Sequence, residues 1–191
     1  MKLLHIDSSA LGTHSVSRGL TAAIVARWQR KHPGIEIAYR DLAARPLPHW
    51  APAGDAADPA VREGNAVLDE FLAADVVVIG APMYNFNIPS QLKAWIDRIL
   101  VAGKTFRYTA SGPEGLAGGK KVIVASTRGG IYTATPQADF QESYLRHVLG
   151  FIGVTDIEFV RAEGLNISPE TKAEAIRSAY AGIDGMVRKA A

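Results

Sequence analysis

Three stretches of this 191-residue chain gather side chains suited to ligand chemistry, and each follows a short apolar run. The first is Asp7-Ser8-Ser9-Ala10-Leu11-Gly12-Thr13-His14-Ser15-Val16-Ser17-Arg18, dense in hydroxyls and leading into a helical pattern. A helix N-terminus presents free N–H groups and partial positive charge, which suits a phosphate. Ser9, Ser15 and Ser17 would add hydroxyl donors to it. Neither GxGxxG nor GxxxxGK[ST] occurs here, so a terminal monophosphate fits better than a dinucleotide pyrophosphate or a Walker-type site. Serine is also the ordinary N-cap and turn residue, and on the hydroxyls alone a purely structural role is equally open.

The second stretch is Gly80-Ala81-Pro82-Met83-Tyr84-Asn85-Phe86-Asn87-Ile88-Pro89. Two aromatics, two amides and a methionine lie between bracketing prolines, a stiff loop that offers stacking surface and hydrogen bonds to a planar heterocycle. The third is Ser126-Thr127-Arg128-Gly129-Gly130-Ile131-Tyr132, whose paired glycines permit close backbone approach to a ligand. His14 is the histidine nearest such chemistry, and a solvent-facing loop position is expected for it.

Apolar runs at residues 3–6, 35–39, 76–79, 122–125 and 157–160 read as strands, with the β-branched content and weak alternation of a buried parallel sheet. Helical spacing lies between them. Leu20, Ile24 and Trp28 mark a first helix, ended by Pro33-Gly34; Asp58 caps a second through Val61, Val67, Leu68 and Phe71. A third spans residues 89–101, with Pro89 suited to its first turn. Tyr144, Leu145, Val148 and Leu149 mark a fourth, closed by Gly150 and Gly153, and Ile176, Tyr180, Ile183 and Val187 a fifth that Ser168-Pro169 opens. Strands alternating with helices predict one α/β domain with helices on both sheet faces. Residues 46–58 read as an irregular connection and residues 108–119 as a loop or hairpin. In an open parallel sheet, ligands bind beyond the carboxyl ends of the strands where the strand order reverses. The three stretches follow strands one, three and four.

With 48% hydrophobic and 21% charged residues the chain suits one soluble domain. Its net charge of +2, with Lys120-Lys121 and Arg188-Lys189 as the densest basic pairs, gives no nucleic-acid or membrane footprint. The absence of cysteine removes thiol nucleophiles, thiolate metal sites and disulfides, so redox chemistry would need a bound cofactor. No window approaches the roughly 20 apolar residues of a membrane helix, and a cytoplasmic protein is expected.

The string Pro82 to Pro89, followed by Leu92-Lys93 and Trp95-Ile96-Asp97, resembles the FMN-dependent NADH-azoreductases, also described as NADH:quinone oxidoreductases. Ser9, Ser15-Val16-Ser17 and Thr127-Arg128-Gly129-Gly130 resemble that family's other flavin-contacting segments, and Gly103 to Tyr108 with Gly112 to Leu116 is typical of the same group. The resemblance implies a flavodoxin-like three-layer fold over residues 1–191, with a five-stranded parallel sheet of order 2-1-3-4-5. It implies non-covalent FMN, ping-pong hydride transfer from NADH or NADPH to quinones and azo compounds, and a homodimer. Ser9, Ser15, Val16 (through its N–H) and Ser17 would hold the phosphate. Pro82, Met83, Tyr84, Asn85 and Phe86 would line the isoalloxazine. Thr127, Arg128, Gly129 and Gly130 would meet its pyrimidine edge. Tyr132 is expected to wall the substrate pocket, and the flavin, not a side chain, to carry the hydride, with no metal. Arg18 and Arg128 are the candidates to meet a 2′-phosphate. A flavodoxin-type electron carrier and a flavin-free binding protein are the competing readings.

Overall fold

The five apolar runs form strands, and helices lie between them along the chain. The computed structural model describes residues 1–52, 55 and 57–186. In chain order the elements are β1 (Lys2–Asp7), α1 (Val16–Lys31), β2 (Glu36–Asp41), α2 (Pro59–Ala73), β3 (Val76–Pro82), α3 (Ser90–Ile99), β4 (Phe106–Thr109), β5 (Gly112–Gly115), β6 (Lys121–Thr127), α4 (Phe140–Phe151), β7 (Asp156–Ala162) and α5 (Pro169–Met186). One sheet runs β2-β1-β3-β6-β7, every neighbouring pair parallel. Counting its own strands alone, this is the expected order 2-1-3-4-5. Residues 108–119 fall largely within an antiparallel hairpin, β4–β5, that stands apart from that sheet.

Alternation along the strands divides the core. Leu4, Ile6, Val77, Ile79, Val122 and Val124 turn to one face, against Phe71 of α2, Trp95 and Ile99 of α3 and Leu149 of α4. Leu3, Val76, Val78, Ile123 and Ala125 turn to the other, against Leu20 and Ile24 of α1 and Ile183 of α5. Burying each such side chain favours folding by about 1.5–3 kcal/mol. Trp95 is fully buried and meets the Phe71 ring edge-on at 5.8 Å.

Three expectations shift. β2 begins at Glu36, runs to Asp41 and is partly exposed throughout, because it is an edge strand and lacks a second neighbour. Pro89 is the N-cap of α3 and the helix stops at Ile99, two residues short of the expected end. Gly150 lies inside the last turn of α4, and Gly153, at φ 93°, makes the reversal after it. Val187, Arg188 and Lys189 lie outside the described residues. Of the other basic pair, Lys120 donates to the carbonyls of Leu72 and Ala74 at 2.7 and 2.9 Å and so caps the end of α2, while Lys121 pairs with Glu158 at 2.6 Å.

Candidate active site

Strand register brings the three stretches to one edge of the sheet: Asp7 is opposite Gly80, Pro82 opposite Thr127, and Thr127 opposite Ala162. Side chains then tie the loops together. The Tyr84 hydroxyl lies 3.3 Å from Ser9 Oγ and accepts from the Ala10 N–H at 3.2 Å. Met83 donates its N–H to the Thr127 carbonyl at 2.8 Å, and the Phe86 and Tyr132 rings meet edge to face at 6.2 Å.

Ser15 caps α1 by accepting from the Arg18 N–H, and its hydroxyl lies 3.0 Å from that of Ser17. Among the described residues the N–H groups of Val16 and Ser17 donate no hydrogen bond. A helix start with two free donors beside two hydroxyls has the chemistry to receive an anion. Ser9, Gly12, Thr13 and Ser15 line a recess of about 640 Å³ there. His14 is exposed.

The loop after β3 reverses in two residues. Tyr84 N–H donates to the Asn87 carbonyl at 2.8 Å and Asn87 N–H returns to Tyr84 at 3.1 Å. Asn85 and Phe86 between them have φ of 48° and 70°, the left-handed region that favours glycine. The turn is a type I′ reversal with phenylalanine where glycine is the common choice. It presents Phe86 half exposed toward Tyr132.

In the loop after β6 the carbonyls of Arg128, Gly129 and Gly130 accept from Leu165, Asn166 and Gly164 at 3.1, 3.0 and 2.9 Å. The N–H groups of Gly129 and Gly130 donate no hydrogen bond among the described residues, which leaves two donors at the site. The Arg128 side chain is elsewhere. It is 2% exposed and pairs at 2.8 Å with each of Asp139, Glu142 and Glu163. Thus only its backbone is available to a ligand.

Sequence reasoning missed the charges beneath these loops. Arg18 pairs with both oxygens of Asp41 at 2.7 and 2.8 Å and donates to the Ser9 carbonyl at 2.9 Å. The Arg18 guanidinium holds the Asp41 carboxyl down to about 2, with the Ala43 and Ala44 N–H groups assisting against burial. For Asp7 burial pushes upward, but the His5 imidazole 3.5 Å away and hydrogen bonds from Thr21 and Tyr39 outweigh it, and the carboxyl stays below its usual range. The same holds for Glu163, where Thr133, the Tyr132 N–H and Arg128 outweigh burial. Asp41 and Glu163 stand at or just past strand ends, the one signal that could have singled them out.

An open parallel sheet with phosphate donors, an aromatic turn and free amides at its strand-order reversal defines a protein that holds a planar, phosphate-bearing ligand. The chain belongs to the flavodoxin-like fold family, whose model matches residues 1–186. It is 62% identical over 185 residues to the FMN-dependent NADH:quinone oxidoreductase 1 of Xanthomonas axonopodis pv. citri (strain 306), covering 96% of this chain and 95% of that one. It is 60% identical over 205 residues to the FMN-dependent NADH:quinone oxidoreductase of Rhizobium meliloti (strain 1021), both chains being covered in full. An azoreductase from Bacillus anthracis str. Sterne superposes with a TM-score of 0.89 at 32% identity over 99% of each chain. An FMN-dependent NADH-azoreductase from Bacillus anthracis str. Ames Ancestor, solved with FMN, also gives 0.89, at 26% identity over 100% of this chain and 99% of that one.

The residues present fit FMN on their own evidence. The free N–H groups of Val16 and Ser17 suit its phosphate, the 84–87 turn its ring, and the free N–H groups of Gly129 and Gly130 an acceptor edge.

Proposed function

We infer that this chain is an FMN-dependent NAD(P)H oxidoreductase that reduces quinones to hydroquinones and azo compounds to amines. The observation that carries the reading is the meeting of three loops, each with unused donors or aromatic surface, at one sheet edge. FMN, when bound, would supply two-electron hydride transfer from the nicotinamide to the acceptor, once for a quinone and twice for an azo bond, whose cleavage to two amines takes four electrons. The protein's part is placement and electrostatics. Ser9, Ser15, Val16 and Ser17 hold the phosphate; Pro82, Met83, Tyr84, Asn85 and Phe86 line the ring. Thr127, Arg128, Gly129 and Gly130 bound its far edge through the backbone, and the two glycine N–H groups stabilise negative charge that builds there. Tyr132, half-buried against Phe86, walls the space in which nicotinamide and acceptor alternate. No side-chain acid is needed for the hydride step, and water supplies the product's proton.

NADH is the favoured donor. Both arginines that could have met a 2′-phosphate are occupied, Arg18 by Asp41 and Arg128 by three carboxylates. A homodimer and a cytoplasmic site of action complete the proposal. Tyr108 and Leu116, exposed at 75% and 39% on and beside the β4–β5 hairpin, are suited to a subunit contact. Sedimentation velocity showing a monomer would remove the dimer. No described helix is long and apolar enough to cross a membrane.

The test is anaerobic mixing of the FMN-reconstituted protein with NADH and then with a benzoquinone, following the flavin's visible absorbance. Bleaching and recovery are expected. A flavin that binds but is not reduced by NADH or NADPH would turn the reading into an electron carrier, and no bound flavin would overturn it.

A further inference from the structure

Residues 131–135 leave the sheet after Gly130 and reach α4 without entering a strand. Among the described residues every hydrogen bond from this segment to the rest of the protein ends on one carboxylate, that of Glu163. Its Oε1 accepts from the Tyr132 N–H at 3.1 Å, and its Oε2 from the Thr133 N–H and hydroxyl at 3.4 and 2.7 Å. The remaining bonds within the segment and just after it are local, Thr135 to Tyr132 and Ala138 to Thr135.

Glu163 is itself fixed at its root. Residues 164–166 donate three backbone bonds to residues 128–130, so the turn that carries Glu163 is clamped to the glycine pair. Its Oε1 also accepts from Arg128 Nη1 at 2.8 Å, inside the buried cluster with Asp139 and Glu142. From that anchor the carboxylate sets where residue 132 starts. The Tyr132 ring then lies over Arg128, 5.9 Å from the guanidinium carbon, and edge to face with Phe86. Tyr132 has no hydroxyl hydrogen bond among the described residues, so its ring is held by its backbone and by these contacts.

We propose that Glu163 is a positioning residue that sets acceptor selectivity by holding Tyr132 against Phe86. It touches no reacting atom. A shifted Tyr132 widens the gap above the ring site, and bulky planar acceptors respond to that gap more than a benzoquinone does. The proposal rests on the oxidoreductase reading for its kinetic consequence, while its structural half is independent of any flavin. Neutralising the carboxylate is tolerable because Arg128 keeps Asp139 and Glu142.

Two measurements test it. Amide hydrogen exchange on the flavin-free protein should show Tyr132 and Thr133 faster in Glu163→Ala than in the parent, with Glu163→Gln between them. Unchanged exchange in that segment would overturn the proposal. In the FMN-loaded enzyme, Glu163→Gln should change the ratio of kcat/KM for an anthraquinone over a benzoquinone by about fivefold, the scale of a single contact. In a Tyr132→Ala background the same substitution should leave the ratio unchanged, because the group through which it acts is gone. A ratio that does not move in Glu163→Gln, or a shift that persists without Tyr132, would overturn it. If the parent enzyme reduces no quinone, the functional reading fails instead, and the exchange measurement still decides whether Glu163 holds the segment. Should Glu163→Ala fail to fold, Glu163→Gln carries both measurements.

Discussion

Phenylalanine at position 86 occupies backbone space that suits glycine, and a pair of substitutions separates its conformational cost from its aromatic use. Its φ of 70° follows 48° at Asn85, inside a reversal closed by hydrogen bonds of 2.8 and 3.1 Å. The left-handed region costs a side-chain-bearing residue about 1–2 kcal/mol. Phe86→Gly relieves that cost but adds about 0.5–1 kcal/mol of backbone entropy lost on folding. Phe86→Ala relieves nothing. Both variants lose the same ring, which is 52% exposed, and the same edge-to-face contact worth about 0.5–1.5 kcal/mol, so these losses cancel between them. The glycine variant should therefore be more stable than the alanine variant by about 0.5–1 kcal/mol, or up to about 4 °C in Tm for a chain of this size. Urea and thermal unfolding of the flavin-free variants measure the difference. Acceptor KM values should meanwhile rise alike in both, since both remove the ring against which Tyr132 rests. A glycine variant no more stable than the alanine variant would refute the strain argument, and an alanine variant with parental KM values would refute the aromatic one.

Acid should weaken the support of the loop after β1. The Asp41 carboxyl lies at about 2 in the folded protein against an ordinary 3.8, so the stabilisation it gives is complete above pH 3.8 and is lost as pH falls toward 2. Asp41→Asn should flatten the fall of stability between those limits, followed by circular dichroism on the flavin-free protein, and it should free Arg18 to move from the Ser9 carbonyl. At the hairpin, a Cβ on Gly115 would lie 2.1 Å from the backbone nitrogen of Gly153, itself at φ 93°, so rigid main chain would have to move. Gly115→Ala should cost about 3 kcal/mol or more in urea unfolding, and a near-neutral result would mean that the hairpin does not pack on the turn after α4.

The sheet and helices were legible because burial writes a period into sequence. Val76 to Ile79 lie between two strands and two helix layers, so every position is apolar, whereas α3 carries its stripe at Leu92, Trp95, Ile96 and Ile99. The edge strand was read less well because Ile35 and Ile37 satisfy only one face. That the three loops meet could be foreseen because parallel topology fixes which strand ends converge. What their side chains do could not. Arg128 sits between a threonine and two glycines that face the site, yet its guanidinium turns into carboxylates 11, 14 and 35 residues along the chain, from α4's start and the end of β7. No local pattern encodes such a partnership. Asn85-Phe86 likewise reads as aromatic surface, and its left-handed backbone emerges only from the paired bonds of residues 84 and 87.

The buried charges beneath the site are better understood as devices of position than of stability. Arg128 at 2% exposure faces Asp139, Glu142 and Glu163, and Arg161 shares Glu142 with it. Desolvating that many charges consumes most of their mutual attraction, and an apolar cluster of equal volume would often hold a fold as well. An apolar cluster, however, has no direction. The guanidinium does: Nε meets Ser126 at 3.1 Å, Nη1 meets Glu163 and Nη2 meets Glu142, each at 2.8 Å, so a planar fork fixes three elements at once. Ser126 passes the constraint to Gln141 at 2.6 Å, and Gln141 to the Ala81 carbonyl at 3.0 Å, near the end of β3 and just before the loop that presents Tyr84 and Phe86. The loops after β3 and β6 are thereby registered to one rigid fork. Replacing Arg128 and its carboxylates with apolar residues should then yield a protein that folds and holds its sheet but presents Gly129, Gly130 and Tyr132 in no single arrangement. It would show as a small change in urea midpoint beside a large loss of FMN affinity.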